Sequence, residues 1–302
     1  MAFTKFRNIV CCDQTLRHYC IFNHKHIPVY NLEHLDSETS SCHFPLGSIM
    51  TWNVQELFWY QSPGKLDNVV EYLRNAPCDL ICLQEVFEHN SLDRIIYDAR
   101  IRRKYPFFLT GDMRNKYLIG ESSGLLVLSS YPLTLVKFAP LVGCEFPDSF
   151  ASKGVLYFSV GSRNFATTHL QSENQRIAGY QLQYILLESP FGRDFTLLGD
   201  LNHETADKVV NVARNNSLIT HESNRILDYI LPLSGAKFRI KRDTINLHNT
   251  TDHYPLIGEY EATEAPPLRV TQRENECGVG RNAASAEDGD IHCRTPSQEI
   301  SA

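Results

Sequence analysis

Acids, amides and imidazoles stand in this chain at points where a buried strand would surface: Asn53, Glu85, His169, Asp200 with Asn202, and Asp252 joined to His253. Carboxylate oxygens are the hard donors that Mg2+ or Mn2+ prefers. An imidazole with an ordinary pKa near ~6.5 accepts a proton at neutral pH, and amides donate to phosphoryl oxygens. The combination describes a hydrolytic phosphate site built around a divalent metal.

The elements that must position these groups are legible beside them. Ser48–Val54, Asp79–Val86, Asn164–Leu170 and Asp194–Asn202 are apolar or β-branched runs of strand length, each ending in a polar group. A strand buried on both faces can place such a group only where it emerges, so several ends can converge on one pocket. A lone Glu after a strand, or a lone Asp in a Gly-Asp turn, is more often a cap or turn former. The ordered set carries the reading.

Phosphodiester hydrolysis needs neutralised phosphoryl charge, an aligned water and an acceptor for its proton. Glu85 is the expected direct metal ligand, since a carboxylate closing a Leu-Ile-Cys-Leu strand is costly unless paired or liganded. Asn53 would bind the metal or orient beside it. His253 is the candidate general base, neutral at cytosolic pH. Asp200 would orient the attacking water and Asn202 donate to a phosphoryl oxygen. Lys153, ahead of Gly154, adds a cation that could reach the phosphate. His203 reads as a helix-start residue, and His89 and His221 have no partner in sequence.

The set, in this order, resembles the endonuclease/exonuclease/phosphatase superfamily of metal-dependent phosphodiesterases and phosphomonoesterases. The marks are Trp52-Asn53, Leu83–Val86, Ser123–Leu125, Thr168–Leu170, Gly199–Asn202, Leu227–Ile230 and Asp252–Pro255, spanning about 48 to 260. Asp148–Val155, Thr168–Gln171 with Gln181-Leu182, and Glu85–Phe87 are similar to neutral and bacterial sphingomyelinases. The resemblance implies a Mg2+ cofactor, with Mn2+ as substitute, and hydrolysis of sphingomyelin to ceramide and phosphocholine at a membrane surface. It also implies that Asp252 fixes the His253 tautomer or binds a second metal, and that His169 stabilises the phosphate and assists the leaving group. Bacterial sphingomyelinases carry an aromatic hairpin before the Asp-His dyad; here Leu231–Thr251 holds one aromatic, Phe238, among Lys237, Arg239, Lys241 and Arg242. A nuclease or phosphoinositide phosphatase with the same site stays open, that cluster then holding nucleic acid or an inositol phosphate. A non-catalytic binding module would not need the full constellation.

Of the 302 residues, 42% are hydrophobic, enough for one sizeable core. No stretch approaches the ~20 apolar residues of a spanning helix, and the first apolar run breaks at Asp13, so a cytoplasmic protein, peripheral to a membrane at most, is expected. Residues 48–260 carry 21 basic and 23 acidic side chains, not the basic footprint of a nucleic-acid binder. The basic run Arg100–Lys104, with Arg94 earlier on the same predicted helix, reads as a solvated face or a contact for an anionic membrane.

Helical periodicity covers 65–75 (Leu66, Val69, Val70, Leu73) and 91–104, with shorter helices at 180–187 and 207–213. Strands are expected at 49–54, 79–85, 124–129, 154–160, 164–170, 195–200, 226–231 and 254–260. The mixture points to an α/β (α+β) chain, and the resemblance to a four-layer α-β-β-α sandwich with two packed mixed β-sheets. Residues 1–47 read as an irregular extension, whose Cys11, Cys12, Cys20, His24 and His26 fit no zinc-finger spacing. Residues 48–261 form the catalytic domain. Residues 262–302, with Pro266-Pro267 and no apolar period, read as a disordered tail.

Overall fold

Side chains of successive strand residues point to opposite faces, and here both faces are apolar. Ile49, Leu80 and Cys82 belong to one buried cluster, while Met50, Trp52, Ile81 and Leu83 belong to another. A sheet apolar on both sides must be covered on both, and that requirement builds the layers.

The computed structural model describes residues 29–30, 45–57, 64–111, 122–212, 218–247 and 250–261. Its strands are β1 (Val29–Tyr30), β2 (Ser48–Glu56), β3 (Leu80–Val86), β4 (Phe107–Thr110), β5 (Leu126–Ser129), β6 (Leu133–Pro140), β7 (Gly154–Val160), β8 (Arg163–His169), β9 (Thr196–Asp200), β10 (Asp228–Pro232), β11 (Phe238–Arg242) and β12 (Leu256–Tyr260). Its helices are α1 (Lys65–Asn75), α2 (His89–Ile96), α3 (Ala99–Lys104), α4 (Gln175–Glu188) and α5 (Ala206–Val209).

Seven strands form one sheet in the order β1-β4-β5-β3-β2-β12-β11, and five form a second in the order β10-β9-β8-β7-β6. Only β2–β3 and β8–β9 pair in parallel, so both sheets are mixed. The inner cluster joins Ile49, Leu80, Val127, Leu156, Phe158, Phe165, Leu198 and Ile230 from the two facing sheets. The first sheet packs outward on Val69, Val70, Leu73, Ile95 and Ile101 of α1, α2 and α3. The second packs outward on Ala178, Leu182 and Ile185 of α4. The expected four-layer sandwich of two mixed sheets is the observed architecture.

Several elements differ from expectation. The helix expected over 91–104 is two, because Asp98 leaves helical geometry and accepts from Arg100 N and Ile101 N as the cap of α3. Arg94 and the basic run therefore lie on different helices. That run ends beside Ala76, whose carbonyl accepts from Lys104, at the end of β3 opposite Glu85. Strands β4, β6 and β11 were not expected. Val29–Tyr30 pairs with β4, so part of the stretch expected to be irregular joins the first sheet. The remaining expectations for 1–44 and those for the tail at 262–302 lie outside the described residues. Among the described residues no helix is long and apolar enough to cross a membrane.

The two parallel strands that face the site come unusually close. A Cβ on Gly199 would lie 2.0 Å from the Thr168 carbonyl oxygen, and Gly199 has a φ of 150°. Gly199→Ala must therefore push β9 from β8 and is expected to cost more than about 2 kcal/mol. Urea denaturation reads this directly; an unchanged midpoint would show that the pair separates freely.

Candidate active site

Asn53, His169 and Asp200 follow the inner-face alternation of their strands. On β2 the inner positions run Ile49, Thr51, Asn53; on β8 they run Phe165, Thr167, His169; on β9, Leu198 precedes Asp200 by two. Asp228 opens β10 two residues before inner-facing Ile230. Below them Thr51 Oγ1 donates to Gln84 Oε1 (3.2 Å) and Gln84 Nε2 to Thr167 Oγ1 (3.4 Å), a polar floor above the apolar interior.

Glu85 breaks the rule. Leu83 faces the helices, so continued alternation puts Gln84 inward and Glu85 outward; instead Glu85 adopts a φ of 58°. The left-handed turn returns its carboxylate to the inner side, where Oε1 accepts from Asn53 Nδ2 at 2.7 Å. A non-glycine residue there carries a cost of roughly 1–3 kcal/mol. Gln55 (φ 52°) and Asn202 (φ 45°) share this conformation, so three left-handed residues rim one pocket.

Asn53 Nδ2 also donates to Asp200 Oδ2 at 3.0 Å, while its Oδ1 accepts from Gln55 N at 3.0 Å. The backbone donor fixes the amide with nitrogen toward both carboxylates. Asn53 thus bridges Glu85 and Asp200 through one amide nitrogen. Asp200 Oδ1 accepts from Asn202 N at 3.0 Å, and Asn202 Nδ2 donates to Leu170 O at 3.2 Å.

His169 Nε2 lies 3.6 Å from both Glu85 Oε1 and Asp200 Oδ2. Burial, then the Lys153 charge, holds its pKa well below the ordinary value, so this imidazole is neutral. His253 Nε2 lies 3.6 Å from Asp200 Oδ2, and its Nδ1 bonds Asp228 Oδ2 at 2.7 Å. Trp52 Nε1 donates to the His253 carbonyl at 3.0 Å and anchors its backbone.

Two expectations need correction. The carboxylate on His253 Nδ1 is Asp228, not Asp252, whose Oδ1 is 3.8 Å from Nε2 on the other edge of the ring. Asp252 faces the Nε2 edge of the ring, away from Nδ1. Lys153, expected to reach a phosphate, is buried and gives its Nζ to Asp148 Oδ1 (2.5 Å) and Leu170 O (2.7 Å). It acts behind the site, holding the carbonyl that holds Asn202. His221 does have a partner: its Nε2 lies 3.3 Å from Asp252 Oδ2. Asp228, Gln55 and His221 are the site residues that the sequence did not assign; the one available signal was Asp228, an acid beside an apolar strand like the others.

Glu85, His169 and Asp200 place one donor atom each within 4.8 Å of one another. Glu85 Oε2 is buried without a hydrogen-bond partner among the described residues. An orphaned carboxylate oxygen beside other hard donors is the environment a divalent cation fits.

Burial pushes the Glu85 pKa up to about 7 and, above the lowering effect of His253, that of Asp200 to about 6. Burial alone would lower His253, but the charge of Asp228 and then of Asp200 outweighs it and raises the pKa to about 10. In the cation-free site these carboxylates thus favour the protonated form of the ring over the neutral one. All three values exceed the ordinary ones, so each group's stabilising effect is full below its ordinary pKa and lost as the pH rises through the folded one. The cation-free protein should melt at lower temperature at pH 8 than at pH 5. Added Mg2+ should raise the melting temperature more at pH 8, by thermal-shift assay; equal shifts, or none, would remove the cation from this pocket.

Residues 50–255 match the Endonuclease/Exonuclease/phosphatase family. No curated protein matches the chain in sequence. Among solved structures, a beta toxin mutant of Staphylococcus aureus with bound magnesium ions is similar at 18% identity and a TM-score of 0.56, over 72% of this chain and 100% of that one. Sphingomyelinase C of Streptomyces griseocarneus is similar at 19% identity and a TM-score of 0.55, over 72% and 100%. An endonuclease/exonuclease/phosphatase of Beutenbergia cavernae is similar at 15% identity and a TM-score of 0.54, over 70% of each. With the family covering most of the two-sheet core and the inner-face acids and imidazoles gathered at one end of it, this chain belongs to the Endonuclease/Exonuclease/phosphatase family, hydrolases of phosphodiester bonds.

Proposed function

We propose that the protein is a Mg2+-dependent phosphodiesterase of the sphingomyelinase kind, releasing phosphocholine from sphingomyelin at a membrane surface, as a cytoplasmic, peripheral protein. The observation that carries the hydrolytic reading is the unpartnered Glu85 Oε2 inside the ring of Asn53, Asp200, His169 and His253. Glu85, with Asp200 beside it and Asp252 next to His253, would hold Mg2+, and Mn2+ could replace it. When bound, the cation supplies positive charge that offsets the phosphoryl oxygens and lowers the proton affinity of His253.

The protein's own groups divide the remaining work. Asp228 fixes the His253 ring through Nδ1 and leaves Nε2 to take the proton of a water aligned by Asp200. His169, neutral, presents an imidazole to the leaving oxygen or the phosphate. Asn202 has one amide hydrogen beyond its bond to Leu170 O for a phosphoryl oxygen.

Support for a lipid substrate comes from the loop between β6 and β7. Val142 and Phe146 are 68% and 77% exposed, and Phe146 packs edge-on against half-exposed Phe150 at 5.8 Å. The loop is braced against the site's rim: Glu145 N donates to Gln171 Oε1, and Ser172 N and Oγ donate to Asp148 Oδ2. From Asp148 the chain of contacts runs through Lys153 and Leu170 O to Asn202. An apolar knuckle so placed suits the interfacial zone of a bilayer. The shared fold with sphingomyelinase C agrees with this reading.

The competing nuclease or inositol-phosphate reading relied on Lys237–Arg242, but Lys241 pairs with Glu259 (2.5 Å) and Arg242 stacks on Tyr254 and donates to Ile219 O.

Hydrolysis of sphingomyelin in detergent micelles should require Mg2+, stop with EDTA or in Glu85→Gln, and fall by about 10²–10⁴-fold in His253→Ala. Retained activity in chelator removes the metal mechanism. Sphingomyelin should be cleaved faster than duplex or abasic DNA; ready cleavage of DNA or an inositol phosphate with sphingomyelin untouched keeps the family and discards the lipid. Phe146→Ser combined with Phe150→Ser should lower hydrolysis in vesicles while sparing a water-soluble phosphodiester, and equal losses on both would place these rings in the fold rather than at the membrane.

A further inference from the structure

One turn, Thr220–Ser223, meets Asp228, Asp252 and the His253 ring. Thr220 Oγ1 accepts from Asp228 N and from Leu227 N, both at 3.0 Å, and so sets the start of β10. Tyr254 N donates to Thr220 O (2.8 Å) and Glu222 N to Asp252 O (2.9 Å), a short antiparallel bridge with His221 opposite His253. The His221 ring meets the His253 ring edge-on, with centroids 4.6 Å apart.

The ring of His221 has a defined chemical sense. Ser223 N donates to His221 Nδ1 at 3.0 Å, with Ser223 Oγ at 2.6 Å from the same nitrogen. A nitrogen that accepts a backbone N–H carries no hydrogen, so the ring hydrogen of the neutral form sits on Nε2. That atom faces Asp252 Oδ2 at 3.3 Å and donates to it. A second donor reaches the same oxygen from β2: Gln55 Nε2 lies at 2.8 Å. The Gln55 amide is itself fixed, because Lys65 Nζ donates to its Oε1 (3.1 Å) and also to its backbone carbonyl. Its left-handed backbone, with φ 52°, aims the side chain there.

We infer that His221 is a positioning residue which, with Gln55, clamps Asp252 Oδ2 so that Asp252 presents only Oδ1 to the reacting centre. Two donors occupy one oxygen; the other stands 3.8 Å from His253 Nε2. The clamp stops the carboxylate from rotating, and from chelating a cation with both oxygens. The inference rests on the reading of His253 and Asp252 as part of the hydrolytic centre, and it adds a group with no contact to the reacting atoms.

Two measurements test it on the full chain. In the cation-free protein at neutral pH, ¹⁵N NMR of the imidazoles should show His221 with its hydrogen on Nε2 and a bare Nδ1; a hydrogen on Nδ1 overturns the clamp. The second compares wild type, His221→Leu, His221→Gln and Gln55→Leu. Calorimetry with Mg2+ alone and turnover of a soluble phosphodiester are read beside the melting temperature. Loss of the donor should weaken cation binding or lower kcat by about 10–100-fold, the range for partners of metal ligands. His221→Gln, whose amide can donate from the same place, should recover most of it. Wild-type behaviour of both leucine variants, or equal impairment of Gln and Leu at position 221, overturns the inference. If His221→Leu does not fold, Gln55→Leu removes the other half of the clamp and decides the matter. A wild type that binds Mg2+ but hydrolyses no phosphodiester refutes the catalytic reading, while the calorimetric series still judges the clamp.

Discussion

Four carboxylates, Glu85, Asp200, Asp228 and Asp252, crowd around two imidazoles at one end of the space between the sheets, and this concentration of buried negative charge is what the site has to manage. Asp228 takes part of the charge into a 2.7 Å contact with His253. Asn53 spreads one amide over two acids, and Gln55 and His221 together hold a third. What these donors leave is Glu85 Oε2 and Asp228 Oδ1, buried and without a hydrogen-bond partner among the described residues, and pKa values pushed up to about 7 at Glu85 and about 6 at Asp200. An unpaired buried carboxylate costs several kcal/mol. A fold that keeps this arrangement is one that meets a cation, and the left-handed backbone of Glu85 is part of the same cost.

The strand ends were readable in the sequence because a strand covered on both faces leaves a polar residue nowhere else to go. That logic located Asn53, His169 and Asp200 and led to the two packed sheets. It said nothing of pairing between ends. His253 was matched with the carboxylate next to it in sequence, yet its Nδ1 partner, Asp228, arrives from β10, 25 residues away. His221 was passed over for the same reason: its acceptor, Asp252, is 31 residues distant. The strand-end reading picked out Glu85, but alternation alone would have turned that side chain outward, and the left-handed backbone that returns it left no mark in the sequence.

Two of the missed strands, β6 and β11, are those where the apolar signal is interrupted. Both lie at sheet edges, with Thr134 and Val136 exposed on one and Arg239 and Lys241 on the other. Edge strands use such charges to discourage pairing with another chain, so the feature that protects the edge also hides it. Lys153 shows a different limit. Its type suggested a phosphate contact, but a cation five residues from an acid across the 3-10 turn at Asp148 meets that acid first.

Lys153 then links the two halves of the proposed function. The Asp148 pair fixes the loop that carries Phe146 and Phe150, and the Leu170 carbonyl, held by the same ammonium, fixes Asn202. The loop proposed to meet the membrane and the amide proposed to meet the phosphate therefore share one buried cation. A loose apolar loop would lose on ordering, when it met lipid, much of what its rings gain there. A braced one meets the bilayer already shaped, with the donor for the phosphoryl oxygen set in the same frame. The fold supplies that rigidity from the second sheet, where Gly154 admits the Phe138 ring against β7, Thr168 Oγ1 bonds the Gly154 carbonyl, and Gly199 lets β9 close on β8. Gly154 and Gly199 leave room for the Phe138 ring and the Thr168 carbonyl, so the strands that carry the loop and the reacting centre stay packed together.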